Sequence, residues 1–250
     1  MKHFTLLVVL CLFAWQGNAQ ITAYPYVEDF EAGAGGWTTA GTLWQLGTPA
    51  GTTINTAGSG TNSWATGLAT NYPSNANESI TSPVFDFTTV SNPAISMNIW
   101  WNAENSWDGT TFQSSIDGGT TWQTVGAFGD PNNWFNDNTI NGSPGGQSQG
   151  WTGRNSTGNG SGGWVTASHD LTGLGGNAGV TFRFAFGSDG SGTDNGFAFD
   201  DISVTNAPIT TFPYVEDFEA GAGGWTTAGT LWQLGTPAGT TINTAGSGTN

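Results

Sequence analysis

Residues 25–62 and 213–250 carry the same 38 letters, PYVEDFEAGAGGWTTAGTLWQLGTPAGTTINTAGSGTN, 188 residues apart. Ile21-Thr22 recurs at that offset as Ile209-Thr210. Solenoid units repeat every ~20–50 residues, so a period this long marks a whole domain. The expected organisation is a leader over 1–19, one complete domain over 20–207, and an incomplete second repeat over 208–250. The second copy stops where the first runs on into Ser63-Trp64, so the chain is read as a piece of a longer tandem protein. Identity that includes Gly and Thr positions points to recent duplication; an artefact in assembling the sequence is the other origin.

The leader has the build of a secretory signal peptide: Lys2 and His3, an apolar run from Phe4 to Trp15, then Gly17-Asn18-Ala19 before Gln20. The run is too short for a transmembrane segment, which needs about 20 residues. Its Cys11 is the chain's one cysteine, so the exported domain is expected to fold without disulfides, as is ordinary for a bacterial surface protein. The expected location is secreted or cell-surface. Past the leader, Arg154 and Arg183 are the only Lys or Arg residues, and the whole chain carries 18 carboxylates. Nucleic acid and anionic membranes are recognised by clustered Lys and Arg, so both are excluded as partners.

Forty glycines and thirteen tryptophans, with charged residues at only 8%, disfavour helices and favour short strands joined by tight turns. Alternating runs are found at 26–30, 42–46, 63–68, 79–87, 94–102, 110–116, 121–126, 165–170, 179–186 and 196–204. Phe182, Phe184 and Phe186 share one face, with Arg183 and Ala185 on the other. In the last run, alternation puts Phe197 and Phe199 opposite Ala198, Ile202 and Val204. The fold class is all-β, a two-sheet antiparallel jelly-roll sandwich. Residues 130–163 are rich in Gly, Asn and Ser but hold Trp134, Phe135 and Trp151, too aromatic for a disordered linker. They are read as a long ordered loop with room for an edge strand.

Ser115 to Trp122 fits S-x-D-x-G-x-T-W, an Asp-box hairpin in which Asp117 caps the turn, Gly119 supplies a positive φ and Trp122 packs the returning strand. Its role is read as structural. Asp29 and Glu31 at the first strand, and Asp200 and Asp201 on the last, are candidate ligands for a structural Ca²⁺. First and last strands of a jelly roll commonly lie side by side, and carboxylates gathered without Lys or Arg are relieved by a hard cation. Ser188–Asn195 is a further oxygen-rich loop. Trp107, Trp134, Phe135 and Trp151 are candidate ligand-binding residues, since exposed aromatic faces stack on sugar rings. No catalytic residue stands out. His169, beside Asp170 at a strand end, reads as a surface hydrogen-bonder.

Asp29-Phe30-Glu31, Gly36-Trp37, Trp44, Ser82-Pro83 and the closing Gly196–Val204 together resemble a MAM domain. The Asp box, Gly150–Gly153 and Val180–Asp189 are more similar to the MAM-like modules of secreted proteins of Bacteroidetes-type bacteria. Such modules occur beside metallopeptidases and in surface proteins that often end in a type IX sorting domain, and no sorting domain is visible here. The resemblance implies a jelly roll, an adhesive or accessory role, and a cation near the first and last strands. The cysteines of animal MAM domains are missing, so their disulfides and homotypic adhesion are not carried over. The expected function is a non-enzymatic adhesin-like module, with a surface glycan or protein as ligand and neighbouring repeats as intrachain partners. The alternative is a carbohydrate-binding accessory module of a secreted hydrolase.

Overall fold

Period-2 alternation is realised as eleven strands among the described residues. In chain order they are β1 (Tyr26–Glu28), β2 (Thr38–Thr39), β3 (Gln45–Gly47), β4 (Ser63–Ala65), β5 (Asn77–Thr81), β6 (Pro93–Asn102), β7 (Gly109–Ser115), β8 (Gln123–Thr124), β9 (Val165–Asp170), β10 (Thr181–Gly187) and β11 (Gly196–Asn206). The computed structural model describes residues 20–207 and, past them, 217–219, 221–222, 225–226, 233–238 and 246. The leader expected over 1–19 lies outside the described residues, as does most of the second copy.

The ladders are antiparallel and form two sheets. One runs β3-β4-β11-β6-β9, with β1 also on β11; the other runs β2-β5-β10-β7-β8. This is the expected two-sheet jelly roll. Phe182, Phe184 and Phe186 point into the core between the sheets, while Arg183 lies over the Trp122 ring, 4.3 Å from its centre, on the outside.

β11 organises the six-stranded sheet. Along one flank it pairs with β6; along the other it pairs first with β4 (Ala198, Phe199) and then with β1 (Ile202 to Val204). Between the two partners the register with β6 slips at Asp200–Ser203, and Asp201 takes φ 49°. An extra residue in a strand turns the following side chains over. Phe197, Phe199, Ile202 and Val204 therefore all face the main core. This corrects the simple alternation, which set the two phenylalanines opposite Ile202 and Val204.

Residues 130–163 are ordered, with two 3₁₀ turns (Pro144–Gly146 and Asn155–Thr157) and isolated bridges Thr110↔Trp151 and Asp137↔Gly150 instead of a laddered edge strand. Gly150 is required for that approach, because a Cβ there would clash with the Thr110 carbonyl oxygen.

A second, small apolar cluster of Ile54, Ala65, Trp100 and Ala198 lies on the outer face of the six-stranded sheet. It is roofed by the 48–58 loop, whose Thr56 carbonyl accepts from Trp164 Nε1 at 2.9 Å. The outer face is thus covered and apolar on one side of the Asp200–Asp201 bulge. On the other side it is polar and open.

Candidate functional site

The open half of that face carries a groove of about 400 Å³. Its floor follows from register. Ser203 lies opposite Ser96 and Ser96 opposite Ser168, so three strands present a row of hydroxyls. The next row is Thr205, Ala94 and Asp170. Val27 of β1, opposite Ser203, continues the first row with a 66% exposed side chain. The 130–133 segment raises one wall. Its Asn132 and Asn133 both have positive φ, the Asn132 carbonyl accepts from Ser168 N, and Asn133 Nδ2 donates to the Thr166 carbonyl. Clustered hydroxyls, an amide and a carboxylate on a rigid sheet suit a ligand that is itself rich in hydroxyl groups.

His169 borders the groove but belongs to its scaffold. It lies opposite Ile95, on the core side of β9. Its ring packs on Trp134, centroids 4.7 Å apart, and Nε2 lies 2.9 Å from Asp130 Oδ2. That contact, with a second hydrogen bond from Ala127 N, holds the Asp130 carboxyl below the usual carboxylate range.

The four predicted Ca²⁺ ligands, Asp29, Glu31, Asp200 and Asp201, each accept hydrogen bonds from backbone or side-chain donors. Asp200 is fully buried. Its Oδ2 accepts from Gly58 N and Ser59 N at 2.8 and 3.1 Å, and its Oδ1 from Asp201 N. Burial nevertheless pushes Asp200 up to about 6. Asp201 accepts from Ser59 Oγ and Asn98 Nδ2. Glu31 accepts from Thr61 N, Thr61 Oγ1 and Asn62 N, which lower its pKa. Asp29 accepts from Glu31 N. Together they tie the 58–62 loop to β11 and to the turn after β1.

The carboxylates that do meet lie elsewhere. Among the described residues, Glu104, Asp108 and Asp189 each place an oxygen within 4.8 Å of the others. Asp108 is fully buried, accepts from Tyr72 Oη and Asp189 N at 2.7 Å each, and is pushed up to about 6 chiefly by burial. Arg154 lies alongside, paired with Glu104 and Asp194. The Ser188–Asn195 loop, recognised as oxygen-rich, supplies part of this group.

The predicted ligand aromatics divide. Trp107 is 47% exposed. Trp134, Phe135 and Trp151 are buried members of the main core, so their faces are covered by protein. The long loop folds back and places its rings against Phe112, Phe184 and Phe197.

No protein-family model matches the chain. It is 30% identical over 112 residues to Bacillopeptidase F of Bacillus subtilis (strain 168), a match covering 44% of this chain and 8% of that protein. The chain therefore spans a small fraction of the curated relative it matches. Among solved structures it is similar to the CBM22-1 xylan-binding domain of Paenibacillus barcinonensis Xyn10C, with TM-score 0.40, 14% identity, and 75% and 96% of the two chains covered. It is also similar to the K1 cleaved adhesin domain of Lys-gingipain from Porphyromonas gingivalis W83, with TM-score 0.38, 16% identity, and 74% and 100% covered.

The groove residues carry no local signal in the sequence. Ser96, Ser168 and Ser203 each read as an ordinary outward position of an alternating strand. Only the pairing of β6 with both β9 and β11 aligns them. Glu104 and Asp108 sit in one connection and Asp189 in another, so their meeting is likewise a product of topology.

Proposed function

We propose that the chain is a non-catalytic, extracellular binding module of adhesin type that holds a surface glycan in the groove over β6, β9 and β11. The observation that carries this reading is the hydroxyl row Ser203–Ser96–Ser168 on the floor of a groove of about 400 Å³. Such a floor offers donors and acceptors at strand spacing to a chain of sugar hydroxyls. Nearby Val27 offers apolar area to a ring face. Among the described residues no helix is long and apolar enough to cross a membrane.

The test is glycan-array binding by the chain and by Ser96→Trp and Ser168→Trp. Each variant fills the groove from an outward position without entering the core. Binding lost in both, with melting temperature retained, supports the reading. Binding that survives both, or an array with no positive feature, removes it. A protein ligand would show as capture of a surface protein that is insensitive to competing sugars.

Ca²⁺ belongs to the proposal at Glu104, Asp108 and Asp189, where a divalent ion would offset the cost of the buried Asp108 charge. Calorimetry with Ca²⁺ on the chain and on Asp189→Asn checks it: heat in the first and none in the second is the expected result.

A further inference from the structure

Both ring nitrogens of His169 face oxygen acceptors. Nδ1 lies 2.6 Å from the Asp170 carbonyl oxygen, and Nε2 lies 2.9 Å from Asp130 Oδ2. A carbonyl oxygen only accepts, so Nδ1 carries a proton. Asp130 is no donor either. Its Oδ2 also accepts from Ala127 N at 2.7 Å, and its carboxyl is held below the usual carboxylate range, first by the histidine and then by that amide. A neutral imidazole has one N–H and one lone pair and cannot serve two acceptors, whereas the imidazolium has two N–H groups and can. The geometry around His169 is therefore that of its charged form.

The surroundings agree. The ring packs on Trp134 with planes at 37°, where a cation is drawn to the electron-rich indole. Trp134 is itself fixed: its Nε1 donates to the Val125 carbonyl at 2.8 Å, and Trp151 meets it edge-on at 5.2 Å. β6 faces the histidine with Ile95. The segment after β8 brings Gly126, where a Cβ would strike His169 Nε2 and Trp134 Nε1. The charged groups in reach are thus Asp130 from the 127–133 segment and, on β9 itself, Asp170 in the groove-side row with Ala94 and Thr205. Arg154 is paired with Glu104 and Asp194, and Arg183 is bound to Gln113 and lies over Trp122.

We propose that His169 is a proton-operated latch on the groove: charged, it pins the 127–133 wall through Asp130, and neutral, it releases that wall and with it the ligand. Release of the ligand rests on the glycan reading above; release of the wall does not. The other ties of the wall to β9 are neutral hydrogen bonds, from Ser168 N to the Asn132 carbonyl at 3.2 Å and from Asn133 Nδ2 to the Thr166 carbonyl at 2.8 Å. They hold Asn132 and Asn133 at φ 62° and 59°, a backbone state that needs support from its surroundings. The Nδ1 contact is to the next residue of the same strand and orders no loop, so the neutral ring keeps its proton there. Nε2 then turns a lone pair on the Asp130 carboxylate, and the two repel. The closed wall favours the charged histidine, so its hold is full while His169 is charged and Asp130 ionised, and is lost as pH rises through the titration of His169.

The test uses the full chain with His3→Gln, which leaves His169 as its single histidine. Ring-nitrogen NMR follows the proton. Hydrogen exchange follows the wall at the amides of Ala127 and Ser168, referenced to those of β10. Between about pH 5.5 and about pH 8.5, either side of the range in which imidazoles titrate, protection of both amides is expected to fall roughly tenfold, the size of a lost hydrogen bond between charged groups. The fall should share its midpoint with the ring titration. Asp130→Asn should remove the step, because an amide can turn either a donor or an acceptor to Nε2. Protection that keeps one value across the titration, or a step that persists in Asp130→Asn, overturns the latch. A glycan array read at the same two pH values is the second arm. Signals are expected to fall roughly tenfold from the lower pH to the higher, and to stay level in Asp130→Asn. Level signals in the chain itself, while the wall steps, overturn the control of binding. An array blank at both pH values removes the glycan reading, and the exchange data still decide the latch.

Discussion

The Trp151 indole meets the Phe135 ring edge-on, centroids 4.7 Å apart and planes at 74°. Its Nε1 donates to the Asn133 carbonyl at 2.9 Å, and its ring lies 5.5 Å from that of Phe197 on β11. Through these rings the long loop forms a wall of the core. Trp151→Ala is expected to cost about 3–5 kcal/mol, as for other large-to-small core changes, measured by urea denaturation of the chain. Trp107→Ala, which removes a half-exposed ring, is expected to stay within about 0.5 kcal/mol.

Acid titration separates two classes of carboxylate. Asp108 and Asp200 are pushed up to about 6 by burial. Between their unfolded value near 4 and about 6 the folded chain binds more protons, so stability falls as pH rises through that window. Asp117 is held down at about 2 by hydrogen bonds from Thr121 and Ser115, so its stabilising effect is lost as pH falls from about 4 to about 2. Maximum melting temperature is therefore expected near pH 4, followed by a decline from Asp108 and Asp200 that levels off above about pH 6. Asp108→Asn is expected to flatten that decline. Differential scanning calorimetry in the presence of a chelator reads both slopes.

How much of this was legible follows from the range of each interaction. The alternation of Phe182, Phe184 and Phe186 is local, and it was sufficient to place β10 and its inward face. The Asp box is local too, with its acceptor, glycine and tryptophan within eight residues. The destination of Trp134 and Trp151 depends on how a Gly- and Asn-rich loop folds back over distant strands, which no neighbouring residue encodes. The bulge at Asp200–Asp201 is hidden because a period-2 reading has no place for an extra residue. Once it is present, Ile202 and Val204 change face and the two aspartates become anchors for the 58–62 loop.

The Asp-box hairpin should fail in two distinguishable ways. Asp117 accepts from Thr121 N, Thr121 Oγ1 and Ser115 Oγ, so Asp117→Ala is expected to lower the melting temperature at pH 6 and to match the parent near pH 2. Gly119 sits at φ 86°. Gly119→Ala is expected to cost about 1–2 kcal/mol at every pH, because the left-handed backbone is strained for any residue with a Cβ. Thermal melts at the two pH values tell a lost charge from a strained backbone.

Asn195 holds the roof over the covered half of the outer face. It is 2% exposed, and its Oδ1 accepts from Thr53 N and Ile54 N at 2.6 and 3.3 Å, and from Thr52 Oγ1. Its Nδ2 donates to Asn71 Oδ1. Ile54 is thereby pressed onto Ala65, Trp100 and Ala198. Asn195→Ala removes one acceptor shared by two backbone N–H groups, and leaving buried donors unsatisfied costs about 1–3 kcal/mol. Because the damage is confined to the roof, the amides of Thr53 and Ile54 are expected to lose hydrogen-exchange protection while those of β10 keep theirs. The polar groove lies across the bulge from this roof, so glycan binding should persist in Asn195→Ala even as the loop opens. Loss of binding would show that the two halves of the face act as one surface.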